Sequence, residues 1–365
     1  MMFVDYRKAF DSVEFNSVFK ALQDQGVHWK IIQVLMYIYR TGKNAILVNG
    51  NEVPINIEKG VRQGDTLSPV LFTATLRSVF EQLDWGNKGL DIDGHKLSNL
   101  QFADDIVLFA NSRDELVGMA KELEEASLRV GLQINATKTI AMTSNRDQTP
   151  INLREGTVTF KSNFVYLGHN ISIPYDPSVE ITRRIQCGWA SFVKHSQFLR
   201  DRNVHMKHKR RLFDMVILPS FVYGSETWAL SVKDQKRLAV AQRKMERKMA
   251  NVTLLDRKTN HWLKGVTKVQ NVLVTATRRK WNWAKKVSFY SIERWPRRIS
   301  EWSPDKSGRT AGRPKRRWRD EFKEYFGKEK AWMEAARRPD DSDTCDTNMT
   351  WKSGLLLRIG KMTNE

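Results

Sequence analysis

The stretch "LQFADDIVLFA" (Leu100–Ala110) places two adjacent aspartates, Asp104 and Asp105, inside a run that is otherwise almost wholly apolar. An ionised carboxylate that leaves water destabilises the fold unless a cation or hydrogen bonds compensate its charge. The flanking segments have the composition of two short strands, so the aspartates are expected at the tip of a hairpin. A solvated turn and a cation-binding turn both fit this stretch when it is taken alone.

A third acid, Asp5, ends another strand-like run, "MMFVDY", and follows "FV" as Asp104 follows "FA". The two acids can meet if their strands are neighbours in a sheet. Oxygen ligands alone favour Mg²⁺ or Mn²⁺. Two such ions can activate a 3′-hydroxyl and stabilise the leaving pyrophosphate during phosphoryl transfer. If the two strands are neighbours, Asp5 and Asp104 are therefore candidates for binding a divalent metal.

Charge is distributed unevenly along the 365 residues. Residues 1–170 carry 18 Lys and Arg against 20 Asp and Glu, whereas the remainder carries 43 against 21. The net charges are −2 and +22, so the whole excess of +20 lies in the second part. This asymmetry indicates separate parts and an acidic partner, most often nucleic acid. A generally basic solvated surface is the alternative interpretation.

Cysteine content and hydropathy narrow the class of protein. The two cysteines, Cys187 and Cys345, do not suggest a disulfide framework. His205 and His208 lack the second ligand pair of a zinc site. No run approaches the ~20 apolar residues of a membrane span, and the N-terminus does not resemble a signal peptide. We therefore expect a nuclear or cytoplasmic protein, not a secreted one, with no membrane partner.

Local signals in the first 170 residues predict a mixed helix and strand unit. Asn49-Gly50 and Asp93-Gly94 are turns typical of hairpins. Asp11 is predicted as a helix N-cap, with Glu14 completing a capping box. Further strands are predicted in "QINATKTIAM" and "FVYLGHNI". Helical patterns cover Glu14–Gln23, Trp29–Tyr39, Pro69–Leu83 and the segment from Ser112 to Gly131.

Five motifs occur in a specific order: "FVDYRKAFDSV", "GVRQGDTLSPVLF", "FADDIVLFA", "GLQINATKT" and "FVYLG". Together they resemble the palm of reverse transcriptases from non-LTR (LINE-type) retrotransposons and cover about residues 2–168. "DRKTN", "GRPKRRWRDEF" and "WMEAARRPD" resemble the C-terminal region of the same elements. The resemblance implies an α+β fold, in which a palm with an antiparallel sheet and packed helices precedes a mainly helical thumb and a basic C-terminal region. The family's fingers and endonuclease are not recognised, so we expect the back portion of a longer polyprotein.

The resemblance implies catalytic roles for individual residues. Asp5 and Asp104 would bind the two Mg²⁺ ions, for which Mn²⁺ can substitute, and Asp105 is the supporting acid of the same signature. Lys138 matches a lysine that approaches the triphosphate as a general acid, although an ordinary surface lysine is the alternative. Phe10 matches the steric gate that excludes a ribose 2′-hydroxyl. The alternative is that Phe10 is an ordinary aromatic residue of the core.

Other residues match segments that contact the substrates. Gln63 and Gly64 would line the incoming nucleotide and the template base, and Arg62 would meet phosphate or remain a surface arginine. A segment of three residues matches the region near the primer terminus, and a tight turn with a core tyrosine is its alternative. That segment comprises Tyr166, Leu167 and Gly168.

The second part of the chain has the pattern of a nucleic-acid platform. Leu238, Ala241, Met245 and Met249 recur at helical spacing with lysine and arginine between them, which predicts a basic amphipathic thumb helix. Beyond Arg278, arginine is mixed with tryptophan, a combination that suits phosphate contact and base stacking. The candidate nucleic-acid contacts are Arg316, Arg317, Trp318 and Arg319. A solvated helix start with Trp318 in a small apolar core is the alternative.

We therefore predict a palm over 1–170, a helical thumb over 171–265, a basic region over 266–338 and a disordered tail over 339–365. The expected activity is RNA-directed DNA polymerisation, with an RNA template, a DNA primer and dNTPs as partners. A catalytically inactive nucleic-acid-binding remnant and a splicing-type maturase are the alternatives. Primer extension with Mg²⁺ would separate the first of these from the others.

Overall fold

The computed structural model describes residues 1–42, 44–55, 57–253, 255–302, 316–326 and 333. The chain divides into two compact units, Met1–Phe164 and a second unit that begins at Val165. The first unit mixes strands and helices, and the second is mainly helical. The predicted α+β class is confirmed.

The first unit is built on a six-stranded sheet in which the N-terminal strand is central. The strand order is β6-β7-β1-β8-β10-β9, and all neighbours are antiparallel except β8 and β10. The strands of this sheet are β1 (Met2–Val4), β6 (Asn99–Phe102), β7 (Asp105–Leu108), β8 (Ile140–Ala141), β9 (Ile151–Leu153) and β10 (Gly156–Phe160).

Two separate hairpins confirm the predicted turns. In the first, Asn49 and Gly50 both have positive φ, and in the second Asp93 and Gly94 do. Positive φ at both central residues matches the twist of the flanking strands. The hairpins pair β2 (Asn44–Val48) with β3 (Asn51–Ile55), and β4 (Leu90–Ile92) with β5 (His95–Leu97).

Helices of the first unit enclose a core on the sheet. The helices are α1 (Ala9–Ser12), α2 (Phe15–Asp24), α3 (Trp29–Thr41), α4 (Ser68–Glu81) and α5 (Arg113–Leu128). Their apolar faces meet the central strands, with Phe72, Leu76, Met119 and Leu123 buried beside Ile106. Apolar burial of this extent is the main stabilising contribution to such a unit.

The predicted capping box at Asp11 and Glu14 is wrong. Asp11 lies inside α1, and α2 begins at Phe15 with Glu14 as its N-cap. In the predicted box, the Asp11 side chain would accept the Glu14 N–H, and the Glu14 side chain would accept the Asp11 N–H. Here the Glu14 N–H instead donates to the carbonyl of Val130 at 3.0 Å. A contact between distant segments therefore replaces the local cap.

The second unit begins with a tight hairpin and continues as a helical bundle. Its strands are β11 (Asn163–Tyr166, which starts in the first unit) and β12 (His169–Ser172). The helices are α6 (Pro177–Lys194), α7 (Ser196–Arg200), α8 (Met206–Leu212), α9 (Leu218–Val222), α10 (Val232–Met249), α11 (Asn260–Thr267), α12 (Val272–Ser288), α13 (Trp295–Glu301) and α14 (Asp320–Phe326). A π-helical segment, Phe213–Ile217, joins α8 to α9.

The core of the second unit confirms the predicted helical face of α10. Leu238, Met245 and Met249 are fully buried and Ala241 is nearly so, on a helix that packs against α6, α11 and α12. A smaller core contains Trp281 and Phe322.

None of the helices in the described ranges is both long and apolar enough to cross a membrane. The predicted tail over 339–365 and most of "SPDKSGRTAGRPKRR" and "WMEAARRPD" lie outside the described residues.

Candidate active site

The three predicted acids converge at one end of the central strand pair. β1 pairs with β7 antiparallel, with Val4 opposite Ile106. Asp5 follows β1 directly, and Asp105 begins β7. Asp104 lies with Ala103 in the two-residue turn of the β6–β7 hairpin, where Phe102 pairs with Asp105. The antiparallel register therefore brings side chains a hundred residues apart in sequence to the same edge.

The three carboxylates lie close enough together for their charges to affect one another's protonation. Partial burial raises the pKa of Asp5, Lys138 lowers it, and the nearby charge of Asp104 raises it again, with a net upward shift. The pKa of Asp105 is raised by burial and by both Asp104 and Asp5. A cation placed among the carboxylates would relieve this repulsion.

The donor set fits a magnesium-type ion. Oδ2 of Asp5 is buried and has no hydrogen-bond partner among the described residues. Within those residues, no group of three or more His, Cys, Asp and Glu side chains is spaced as a complete ligand set. Mg²⁺ is commonly held by one or two carboxylates, with substrate phosphates and water completing its octahedron. Asp5 and Asp104 are the pair that would hold such an ion.

Lys138 approaches the same edge from the loop before β8. It is exposed and close enough to Asp5 to lower the pKa of that carboxyl. The loop is fixed to Asp5 by main-chain contacts: the Asn135 N–H donates to the Asp5 carbonyl at 2.8 Å, and the Asp5 N–H donates to Thr139 Oγ1 at 3.2 Å. A hydrogen bond from the Asn135 side chain also lowers the pKa of Asp5. Sequence reasoning used "NATKT" for Lys138 alone and missed Asn135 and Thr139.

Phe10 lies on α1, five residues beyond Asp5. Its ring is half-buried and stacks on Phe72 of α4, with centroids 4.7 Å apart and planes inclined by 21°. The Phe10 carbonyl accepts the N–H of Val61 at 2.7 Å, which ties α1 to the "RQGD" segment. One part of the Phe10 ring therefore packs in the core, and the rest is exposed. This position is compatible with the gate role predicted from the resemblance.

The "RQGD" segment forms the loop that enters α4. Gln63 is exposed, and its Nε2 donates to Asp11 Oδ1 at 3.0 Å. The Arg62 guanidinium lies 5.8 Å from the centroid of the Tyr39 ring. Gly64 has φ +90, and no described atom lies within 4 Å of a Cβ built there. Glycine is therefore required at this position by its backbone angle and not by crowding.

Tyr166, Leu167 and Gly168 form the end of the β11–β12 hairpin in the second unit. Leu167 and Gly168 have φ +45 and +71, the angles of a type I′ turn. The Tyr223 hydroxyl donates to the Leu167 carbonyl at 3.0 Å. A Cβ on Gly168 would lie 3.1 Å from the Tyr223 ring. The segment therefore has the tight turn of the alternative interpretation, but Tyr166 is half-buried and not a fully buried core residue.

Residues 316–319 are held mainly by contacts within the second unit. Trp318 Nε1 donates to the Glu226 carbonyl at 2.7 Å, and its ring packs edge-on against Phe322 at 5.1 Å. Arg319 is 9% exposed, and its guanidinium lies near the carbonyls of Glu301 and Trp302. Arg316 pairs with Glu324 at 2.9 Å, whereas Arg317 is exposed. This packing favours a structural role for Trp318 and Arg319, so Arg317 is the best placed of the four for phosphate contact.

Comparisons with known proteins match both parts of the chain. A family described as Reverse transcriptase (RNA-dependent DNA polymerase) matches residues 1–171. A putative uncharacterized transposon-derived protein of Caenorhabditis elegans is 31% identical over 242 residues, 64% of this chain and 86% of that protein.

Two further relatives are retrovirus-related Pol polyproteins. That of the type-1 retrotransposable element R2 of Nasonia vitripennis is 35% identical over 136 residues. That of the type-2 element R2DM of Drosophila melanogaster is 32% identical over 137 residues. Each match covers 37% of this chain and 13% of the polyprotein, so the chain spans a small part of these longer relatives.

Among solved structures, apo telomerase from Candida tropicalis aligns with a TM-score of 0.36 and 14% identity, covering 83% of this chain and 53% of that one. The same telomerase in complex with a fragment of telomeric RNA gives a TM-score of 0.34.

The ordered motifs, the family match and the transposon relatives agree with one another. The chain belongs to the reverse transcriptases encoded by non-LTR retrotransposons.

Proposed function

We propose that this chain catalyses RNA-directed DNA polymerisation. A primer 3′-oxygen would attack the α-phosphorus of a dNTP, the bond between the α-phosphorus and its bridging oxygen would break, and pyrophosphate would leave. The observation that carries the proposal is the buried Asp5 Oδ2 beside Asp104 and Asp105 at the end of β1. Carboxylates that repel one another at a rigid sheet edge are arranged for cation binding.

Each site residue has a separate proposed role. Asp5 and Asp104 would hold two Mg²⁺ ions, or Mn²⁺ in their place, which when bound activate the 3′-hydroxyl and stabilise the leaving group. Asp105 adds negative charge at the same edge. Lys138 would give a proton to the leaving pyrophosphate. Phe10 would occupy the space of a ribose 2′-hydroxyl, and Gln63 and Gly64 would line the nucleotide.

The proposed partners are an RNA template, a DNA primer and dNTPs. Residues 1–170 would act as the palm, 171–265 as the thumb and 266–338 as a basic nucleic-acid-binding region, with 339–365 as a tail. The net charge of +22 beyond residue 170 supports binding to a phosphate backbone. The proposed location is the nucleus, the cytoplasm or both, and the basic stretch over 303–317 has the composition of a nuclear localisation signal.

Primer extension tests this proposal. The full chain would be given a DNA primer annealed to an RNA template, dNTPs and Mg²⁺, and extension would be compared with that of Asp104→Asn. We expect Asp104→Asn to reduce the rate by about 10³-fold, equivalent to about 4 kcal/mol of transition-state stabilisation.

Asp93→Asn is the matched control. Asp93 also lies in a two-residue hairpin turn, is exposed, and keeps a hairpin-compatible Asn-Gly pair when substituted. This variant should extend primers like the unsubstituted chain. Mn²⁺ titration followed by electron paramagnetic resonance gives a second readout, in which only Asp104→Asn should weaken binding. If the unsubstituted chain binds nucleic acid but neither extends a primer nor binds Mn²⁺, the inactive remnant is the correct interpretation.

A further inference from the structure

A cavity of about 450 Å³ lies between α12, α13 and the segment that leads into α14. This volume falls within the range of roughly 300–1,000 Å³ that is typical of ligand pockets. Each of these three elements places one tryptophan in the cavity wall: Trp283, Trp302 and Trp318. Arginine and tryptophan are mixed in the sequence beyond Arg278, and folding brings three of those tryptophans to one place.

The rest of the wall is mostly apolar, and its two hydroxyl groups already donate within the protein. The Thr227 hydroxyl donates to the Gly224 carbonyl at 2.9 Å, and the Ser300 hydroxyl donates to the Arg297 carbonyl at 2.7 Å. The aliphatic surface comes from Val287, Pro296 and Ile299. Such a wall binds a flat or apolar group by surface contact, since a polar group buried there without partners would be destabilised.

Trp302 is the most accessible of the three tryptophans, and its main chain is fixed. The residue is 36% exposed, and no ring contact in the described part of the chain involves it. The Trp302 N–H donates to the Arg298 carbonyl at 2.9 Å, and the Trp302 carbonyl lies 3.3 Å from Arg319 Nη1. An indole that is anchored at its backbone and open on its surface can stack on a planar ligand.

The other two tryptophan rings are held by neighbouring residues. Trp283 meets Tyr290 edge-on, with ring centroids 6.3 Å apart. Trp318 is held by the hydrogen bond from its indole N–H to the Glu226 carbonyl. Both rings are half-buried. They therefore act as fixed walls, and Trp302 provides the surface on which a ligand would stack.

The charge of the cavity indicates a ligand that carries phosphate. Arg317 lines the cavity and is exposed, so its guanidinium can meet an anion beside the stacked group. None of the described lining residues is acidic. Proteins bind single-stranded nucleic acid in this way, with bases stacked on aromatic rings and phosphates beside basic side chains.

We propose that this cavity binds one unpaired base of a nucleic-acid strand, stacked on Trp302, with the adjoining phosphate at Arg317. The proposal rests on the proposed function for the choice of nucleic acid as the ligand, but not on catalysis. A peptide with an apolar side chain between acidic residues is the other possible occupant, and the test below separates the two.

The test uses the full chain in EDTA without nucleotides, so that a failure of polymerase activity does not affect it. The probe is an RNA tetranucleotide with one 2-aminopurine and three abasic positions. A tetranucleotide with four abasic positions has the same phosphates and no base. Calorimetry should show that the single base raises affinity about tenfold, and the 2-aminopurine fluorescence should be quenched on binding, because the base stacks on an indole.

Substitutions at Trp302 give the decisive result. Trp302→Ala should remove the tenfold gain and the quenching, and should leave the salt dependence of the abasic probe unchanged, because no phosphate contact is lost. Trp302→Phe keeps a ring and should retain most of the gain. Trp262→Ala is the matched control, since Trp262 is 37% exposed and also lies beside a basic side chain, that of Lys258. It should behave like the unsubstituted chain, and thermal melts would confirm that each variant folds.

The proposal would be overturned if the base gave no gain in affinity for the unsubstituted chain, or if the gain survived in Trp302→Ala. It would also be overturned if a peptide with one leucine between aspartates bound through Trp302 while the base gave no gain, since the cavity would then be a docking site for protein.

Discussion

Val4 of β1 lies directly opposite Ile106 of β7 in the antiparallel ladder. This register decides the site, because the next residue toward the same edge is Asp5 on one strand and Asp105 on the other. Both side chains of the pair are almost fully buried, which anchors the strands on the core. A slip by one residue would turn the strand's side chains to the opposite face and remove Asp5 from Asp104.

The first prediction concerns the stability cost of the acid cluster. The pKa of Asp5 is raised above its ordinary value of 3.8, so the native state keeps this proton to a higher pH than the unfolded chain does. The contribution of Asp5 to stability therefore falls as pH rises through the interval between the two values. We expect Asp5→Asn to raise the melting temperature in EDTA at pH 8, and to raise it less at pH 5, while abolishing primer extension.

Asp147→Asn is the control of opposite sign. Hydrogen bonds from Thr149 lower the pKa of Asp147, so its ionised form stabilises the native state. This substitution should lower the melting temperature at pH 8. Differential scanning calorimetry at both pH values would measure the two effects. A lower melting temperature for Asp5→Asn at pH 8 would contradict this prediction, because it would show that the ionised Asp5 carboxylate stabilises the native state.

The second prediction concerns sugar selection. Phe10→Ala should raise the ratio of kcat/KM for ribonucleotides to that for deoxyribonucleotides by at least tenfold, because the ring no longer fills the space of the 2′-hydroxyl. The substitution should also cost about 1–3 kcal/mol of stability through loss of the Phe72 stack. Steady-state kinetics with each nucleotide would measure the ratio.

Phe80→Ala provides a matched control for that experiment. Phe80 is also half-buried, belongs to the same core and meets Trp85 edge-on at 5.6 Å. It should lose comparable stability and leave sugar selectivity unchanged. Equal selectivity changes in both variants would show that Phe10 acts only by packing.

The third prediction concerns the backbone of the "RQGD" loop. Gly64→Ala should destabilise the chain by about 1–2 kcal/mol, because alanine is strained at φ +90 although no described atom would clash with its Cβ. Gly118→Ala, inside α5 and equally uncrowded by the described atoms, should stabilise it by roughly 0.5–1 kcal/mol. Urea unfolding would give both values, and a neutral Gly64→Ala would contradict the backbone argument.

The fourth prediction distinguishes packing from stacking at Trp318. Its hydrogen bond to Glu226 and its contact with Phe322 predict that Trp318→Ala lowers stability by about 2–4 kcal/mol and leaves affinity for nucleic acid unchanged. Arg317→Ala should do the reverse, with weaker binding and an unchanged melting temperature. Filter binding at several salt concentrations and thermal melts of the same variants would test this. Weaker binding by Trp318→Ala at full stability would restore the base-stacking role.

The sequence by itself determined several local elements and named the candidate residues of the site. Turn residues with positive φ predicted the hairpins at Asn49-Gly50 and Asp93-Gly94, and helical spacing predicted the buried face of α10. Both signals arise from steric and periodic rules that act within a few residues. The five ordered motifs identified the family and named Asp5, Asp104 and Lys138 as candidates.

Tertiary structure alone decided how distant segments meet. The β9–β10 hairpin and its parallel pairing with β8 had no recognised local signal, because strand pairing depends on neighbours that the local sequence does not specify. The Glu14 N–H takes Val130 as its partner in place of a local cap. Trp318 is held by Glu226, ninety-two residues earlier. Likewise, the Glu180 carboxylate lies within 4 Å of His169 and Arg183. The contact with His169 exists only after folding, because it depends on the packing of β12 against α6.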